Sequence, residues 1–402
     1  MKKVAFCIGL LLLIVLLSGC GTSAPEPTAT PVPTETPTAE PTATAAPTAE
    51  PTAVPTAEPT AVPTVEPAQA EGPQIITPKG YVMGAGLPIY AAARGNYHTQ
   101  VEPGLFTDAA KTDDETHYNG LVDVRTAVFA DGGYFSASED NYSFSRYKDT
   151  KTWHSSLRGE INRLIWFAKH GGGQYVQIEP QVLQKDALHG ITLADAQAAF
   201  EEVLQKTAAG AWVAEDALDM DVDRIHQIGE AYNADQRGWD DLLGHNYYYP
   251  DYAALTENDE CYYLEYGYLV NGLPAYYEYD WFGAETLMGE DGIEEIDVHV
   301  KYLPGEELPM PDKLVTAEEA MAILPQEMRK YPMGGKLHSI ISLEMVYSVQ
   351  EVKNSPTGRA FVPAWYITYL DTGAAKQGYD CTAVISALDG FLIQSMFDDK
   401  SP

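Results

Sequence analysis

Positive charge is scarce in this chain: 25 Lys and Arg stand against 58 Asp and Glu in 402 residues, a formal balance of −33 at pH 7. A nucleic-acid binder carries a basic footprint, and an acidic surface is repelled by phosphate backbones and anionic lipid headgroups alike. Nucleic acid is therefore excluded as a partner, and so is membrane attachment through a polybasic patch. Cysteine is also rare, with four residues and no C-x-x-C pair, and the nine histidines are scattered. No zinc site is expected, nor any other metal or cofactor. H-E-x-x-H, a Walker loop, a strand-linked G-x-G-x-x-G and G-x-S-x-G are all missing, which leaves no signature of a metalloprotease, nucleotide site or α/β-hydrolase. No catalytic residue is assigned, and a non-catalytic protein is expected. A transmembrane helix needs roughly 20 apolar residues, whereas the apolar run at residues 4–17 has 14.

That short run follows Lys2 and Lys3 and ends in small residues, the architecture of an export signal. The four residues Leu17-Ser18-Gly19-Cys20 at its end resemble the lipobox of bacterial lipoproteins in both sequence and position. The resemblance implies a diacylglyceryl group on the Cys20 sulfur and removal of residues 1–19 as a signal peptide. Two acyl chains anchor stably where one binds only marginally, so the expected location is the extracytoplasmic face of the cell membrane. Loss of Lys2 and Lys3 with the signal leaves 23 − 58 = −35. Cys7 departs with it, and Cys261 and Cys381 remain as the thiols of the folded part. They either form one disulfide in an oxidising envelope or stay as two buried thiols.

Residues 20–73 join the lipid site to the fold through a degenerate four-residue repeat of Pro, Thr, Ala and Glu. Pro removes backbone donors and the other residues offer little apolar surface, so a disordered tether is expected. In polyproline II, at ~3.1 Å per residue, it would reach about 150 Å. The rest exceeds what one core usually supports and divides into an N-terminal α+β subdomain, 74–187, and two helix-plus-sheet units, 188–312 and 313–402. In the first, residues 120–136 alternate like strands about a turn at Gly132-Gly133. Leu157, Ile161, Leu164, Ile165 and Ala168 then predict a helix stopped by Gly171-Gly172-Gly173.

The two later units share an order. Thr192-Leu-Ala-Asp195 and Thr316-Ala-Glu-Glu319 each open a helix with a capping-box pattern. Strand-like stretches follow, then the words Gly272-Leu-Pro274-Ala-Tyr-Tyr277 and Phe361-Val-Pro363-Ala-Trp-Tyr366, then Asp-Gly turns at Asp291-Gly292 and Asp389-Gly390. The fold class expected is α+β, built of repeated helix plus antiparallel-sheet units. The second copy, with VPAWYITY and YDCTAVISALDGFLI, resembles the C-terminal half of YycH/YycI-type extracytoplasmic regulators and the small PepSY-like modules of Gram-positive envelopes. The resemblance covers residues 315–396 best and implies non-catalytic units that contact partner proteins and modulate a sensor kinase. Those proteins hold a transmembrane helix, whereas this chain carries a lipobox and a tether.

Of 26 tyrosines, 11 fall within residues 247–279. Tyr and Trp present large amphipathic faces at low entropy cost, so Tyr247, Tyr248, Tyr249, Tyr252, Tyr276, Tyr277 and Trp281 form the candidate contact surface for an envelope protein. The alternative ligand is a glycan or the cell wall; in strands, the same residues also serve as core. Asp219, Asp221, Asp223 and Glu230 have the spacing of a calcium loop, but Arg224 occupies the place that needs Gly. A strand that turns these acids to water is expected instead. His170-Gly171-Gly172-Gly173 reads like an oxyanion-hole word, and its position after a helix makes it a helix stop.

Overall fold

Antiparallel pairing organises most of the computed structural model, which describes residues 73–76, 87–146, 157–208, 210–243, 249–277, 280–310, 313–329, 337–371 and 381–397. The chain runs β1 (Gln74–Ile76), β2 (Ile89–Arg94), α1 (Tyr97–Gln100), β3 (Lys111–Tyr118), β4 (Asp123–Phe129), β5 (Tyr134–Ala137), β6 (Asn141–Ser145) and α2 (Ile161–Lys169). Next come β7 (Ala187–Leu188), β8 (Ile191–Thr192), α3 (Leu193–Thr207), β9 (Ala211–Met220), α4 (Val222–Leu243), β10 (Cys261–Val270), β11 (Leu273–Tyr277) and β12 (Asp280–Trp281). The last elements are β13 (Gly283–Gly289), β14 (Gly292–His299), β15 (Tyr302–Leu308), α5 (Ala317–Met328), β16 (Leu337–Glu351), β17 (Arg359–Asp371), β18 (Cys381–Ser386) and β19 (Leu392–Phe397). This is a mixed fold of helices and a large, mainly antiparallel sheet. The signal peptide, Cys20, all but the last residue of the tether, Tyr247 and Tyr248 lie outside the described residues.

One ladder has the order β3-β4-β5-β6-β14-β13-β10-β9. A second runs β16-β17-β18-β19, with β1 and β11 parallel to β16 and β2 joining β15 to β17. The β10–β11 hairpin links them. Its two-residue turn, Asn271-Gly272, has positive φ at both positions, 50° and 77°, the backbone that Asn-Gly tolerates and a tight hairpin needs. The pairings of β6 with β14 and of β2 with β15 and β17 cross the boundaries expected near 187 and 312. Strands of the N-terminal segment thus extend both ladders.

After α3 the strands β9, β10, β13 and β14 are successive antiparallel neighbours; after α5 the same holds for β16, β17, β18 and β19. The words that matched in the sequence do not occupy equivalent strands. Pro274 lies in β11, paired parallel with β16, whereas Pro363 lies in β17, between β16 and β18.

Helix starts follow their caps. The Thr192 side chain accepts from Asp195 N, and Thr316 with Glu319 forms a reciprocal capping box. Buried Ala196, Phe200 and Leu204 of α3, and Ala320, Leu324 and Met328 of α5, meet the inward faces of both ladders in one large core. A smaller core lies on the other side of β9, β10 and β13, where α2 and α4 cover Leu218, Met220, Cys261, Tyr263 and Leu287. Strand β10 is therefore covered on both faces, which accounts for its mainly apolar and aromatic sequence, interrupted by Glu265.

Several expectations change here. Asp219 and Asp221 do not face water: they are 0% and 7% exposed, and the strand ends at Met220. Asp221 Oδ1 accepts from Arg224 N at 2.7 Å and caps α4, a 22-residue helix. Asp219 pairs with the buried Arg224 guanidinium at 2.8 Å. Cys261 and Cys381 are free, buried thiols. They belong to different cores, Cys261 to the smaller and Cys381 to the larger, which corrects the disulfide alternative.

Candidate functional site: an acidic cleft under helix α2

The register of β9, β10, β13 and β14 aligns four carboxylates. Glu265 stands opposite Asp216 on one side and Glu285 on the other, and Glu285 stands opposite Asp297. Directly opposed side chains share a face with Cβ atoms about 4.5–5.5 Å apart, where like charges repel. Helix α2 lies above this face. One of its stripes, Ile161, Leu164, Ile165 and Ala168, is buried in the smaller core. A second stripe, Asn162, Trp166 and Lys169 at i, i+4 and i+7, borders a cleft of about 730 Å³ whose floor includes Glu265, Glu285, Glu295 and Asp297.

Lys169 offsets part of the repulsion. Its ammonium bonds Glu265 and lies 3.0 Å from Asp216, with the Tyr263 ring centre 4.7 Å away. Burial works against this charge, but Glu265 and Asp216 together raise the Lys169 pKa. The Tyr263 hydroxyl lies 2.8 Å from Glu285 Oε2 and 3.1 Å from Glu265 Oε2. Burial, then the charges of these two carboxylates, pushes the Tyr263 pKa up. Glu285 is raised as well: burial is the main cause, Asp297 and Glu265 add to it, and the Tyr263 hydrogen bond and His299 oppose it. A hydroxyl has one proton and donates to one carboxylate at a time. Glu285 is linked through the Tyr263 hydroxyl to Glu265, and through Glu265 to Lys169.

The lining residues have further partners. Asn162 Nδ2 donates to Glu295 Oε1 at 3.0 Å, and His299, outside the lining, has its Nε2 3.0 Å from Asp297 Oδ1. Trp166 is 60% exposed and stacks on His170 with ring centres 4.4 Å apart and planes at 26°. Gly171 and Gly172, with φ of 75° and 106°, end α2. The Gly172 amide donates to Phe167 O at 2.9 Å, so these glycines terminate the helix as expected. Among the described residues, no group of three or more His, Cys, Asp or Glu side chains could hold a metal ion, and no helix is long and apolar enough to cross a membrane.

Of the expected tyrosine surface, the three residues whose side chains are described, Tyr249, Tyr252 and Tyr276, are buried or half-buried. Tyr252 is 2% exposed and belongs to the smaller core. Tyr249 is half-buried, bonded to Asp240 and under the Arg237 guanidinium at 5.2 Å. Tyr276, also half-buried, stacks on Tyr366 at 4.8 Å. Tyr277 and Trp281 have strand backbones in β11 and β12, and their side chains are not described. Tyr262, Tyr266 and Tyr268 are buried. A strand covered on both faces turns its aromatics inward. A separate hollow of about 560 Å³ lies beside Tyr249, Tyr252, Arg237 and Asn233.

Sequence reasoning missed the cleft because Glu265, Glu285 and Asp297 meet only through strand register. A weak signal was present in the alternation of Tyr263 with Glu265 and of Glu295 with Asp297. No protein-family model matches the chain, and no curated protein matches it. Among solved structures, the chain is similar to an uncharacterized protein from Eubacterium rectale ATCC 33656, at 12% identity and a TM-score of 0.44, over 76% of this chain and 84% of that one.

Proposed function

We propose that the chain is a lipoprotein of the bacterial cell envelope, anchored by acyl chains on Cys20 at the extracytoplasmic face and held away from the membrane by residues 20–73. Its ectodomain acts by binding, without catalysis, as an interaction or regulatory element of the envelope. The acidic cleft carries this reading: it is large enough for a ligand, with aromatic and polar walls and convergent charged groups. It replaces the tyrosine segment as the contact site. The second reading, glycan or cell-wall binding, is favoured by Trp166, whose exposed indole borders the cleft as a flat stacking surface. The two helix-and-meander units read as copies of one α+β module, supported by matching threonine caps and by four successive antiparallel strands after each helix.

Mass analysis of the membrane fraction tests the anchor. A diacylated N-terminal Cys20 is expected, with release to the soluble fraction in Cys20→Ser. The cleft is tested by comparing retention of purified wall glycan and of envelope proteins on the full chain and on a Trp166→Ala/Glu285→Gln variant. Equal retention by both removes the cleft from the reading.

A further inference from the structure

The cleft's charge and its exposed ring point to one class of ligand. Four carboxylates, those of Glu265, Glu285, Glu295 and Asp297, line it together with Lys169 and Arg163. Lys169 is engaged by Glu265 and Asp216, and Arg163 pairs with Glu160 at 2.8 Å, its own side chain 64% exposed. The cleft therefore repels phosphates, sulfates and uronic acids and attracts a cation. Burial, then Asp297 and Glu265, raises the Glu285 pKa, and a positive charge beside it opposes that shift. At the same cleft, the Trp166 ring has His170 stacked on one face and is 60% exposed. A flat exposed indole suits the C–H face of a pyranose ring, and hydroxyls suit Asn162, Ser143 and the carboxylates around it. About 730 Å³ falls within the ~300–1,000 Å³ usual for ligand sites and admits a short oligosaccharide.

We infer that the cleft binds an amino sugar with a free ammonium, its ring stacked on Trp166 and its nitrogen held by Glu285 and Asp297. This rests on the cleft reading above and names its ligand class. An ammonium beside Glu285 opposes the burial and like charges that raise its pKa, so ligand uptake releases protons over the range in which Glu285 titrates.

The test is calorimetry of the full chain in detergent micelles with glucosamine trimer, its N-acetylated counterpart and trilysine, in two buffers of different ionisation enthalpy. The amine trimer should bind about tenfold or more tighter than the N-acetylated form, a factor equal to 1.4 kcal/mol. Added salt should weaken it, and the observed binding enthalpy should differ between the two buffers in proportion to the protons released. Trp166→Ala, at an exposed site, and the isosteric Glu285→Gln should each weaken it about tenfold, with Glu285→Gln also removing the proton release. Equal affinity for both sugars overturns the ammonium assignment and leaves glycan binding standing. Binding of trilysine alone overturns the sugar assignment, and binding of no probe overturns the inference whole. The cleft reading is judged separately, by whether wild type and variant still differ in retaining envelope material.

Discussion

The Tyr263 hydroxyl reaches diagonally to Glu285 on the neighbouring strand, 2.8 Å away, although its own partner in the register is Leu287. The diagonal is within reach of an aromatic side chain. It places a neutral donor between Glu265 and Glu285, two like charges that stand directly opposite each other. With Lys169 on the far side of Glu265, this arrangement makes a row of acids compatible with a folded sheet.

Glu285 titrates against the fold. Its folded-state pKa lies above the ordinary 4.5, so between the two values the native chain binds more protons than the unfolded one. Stability therefore falls as pH rises from about 4.5 through the folded-state pKa. Glu285→Gln should flatten that fall and stabilise the protein by about 0.5 kcal/mol at pH 8, the scale of one relieved like-charge contact. Urea unfolding from pH 4 to 8 checks this; a variant less stable than wild type at pH 8 contradicts the argument.

Asp219 and Arg224 form a buried pair, with side chains 0% and 7% exposed. Removing one partner leaves the other charge unpaired in the interior. Arg224→Met alone should cost about 3–5 kcal/mol. The double variant Asp219→Asn/Arg224→Met should recover much of that loss, and urea denaturation of the three proteins gives the comparison.

The two thiols should be inert in the native state. Burial pushes the Cys261 pKa up to about 12, so little thiolate forms at pH 8. Ellman's reagent should leave Cys261 and Cys381 unmodified in the folded chain and label both in 6 M guanidinium without a reductant. A missing pair of thiols after unfolding would reveal a disulfide.

Gly172 has φ of 106°, and a Cβ there would collide with the Val176 carbonyl oxygen. Gly172→Ala should therefore destabilise by about 2 kcal/mol through strain. Cleft binding should be weakened only as far as α2 is displaced. Thermal melts and calorimetry on the same sample separate the two effects.

The local features were readable in sequence because neighbouring residues create them. Thr192 and Thr316 cap their helices through groups three residues on, and Gly171-Gly172 end α2 through their own freedom at positive φ. The proposed export signal and tether are likewise read from short-range composition. Helix α4 was harder to see, since Ile225, Ile228 and Tyr232 are sparse apolar marks among polar residues and the preceding aspartates imitate a strand. Whether a tyrosine faces solvent or core depends on what covers its strand, and α2, α4 and the large core together cover β10 on both faces. The cleft needed still more distant information. Asp216, Glu265, Glu285 and Asp297 span 81 positions, and only the pairing register of four strands sets them in one row beneath Lys169. Local chemistry thus determined the helix caps and stops of this protein. Long-range register, which follows from burying both faces of a sheet at once, decided which charges meet.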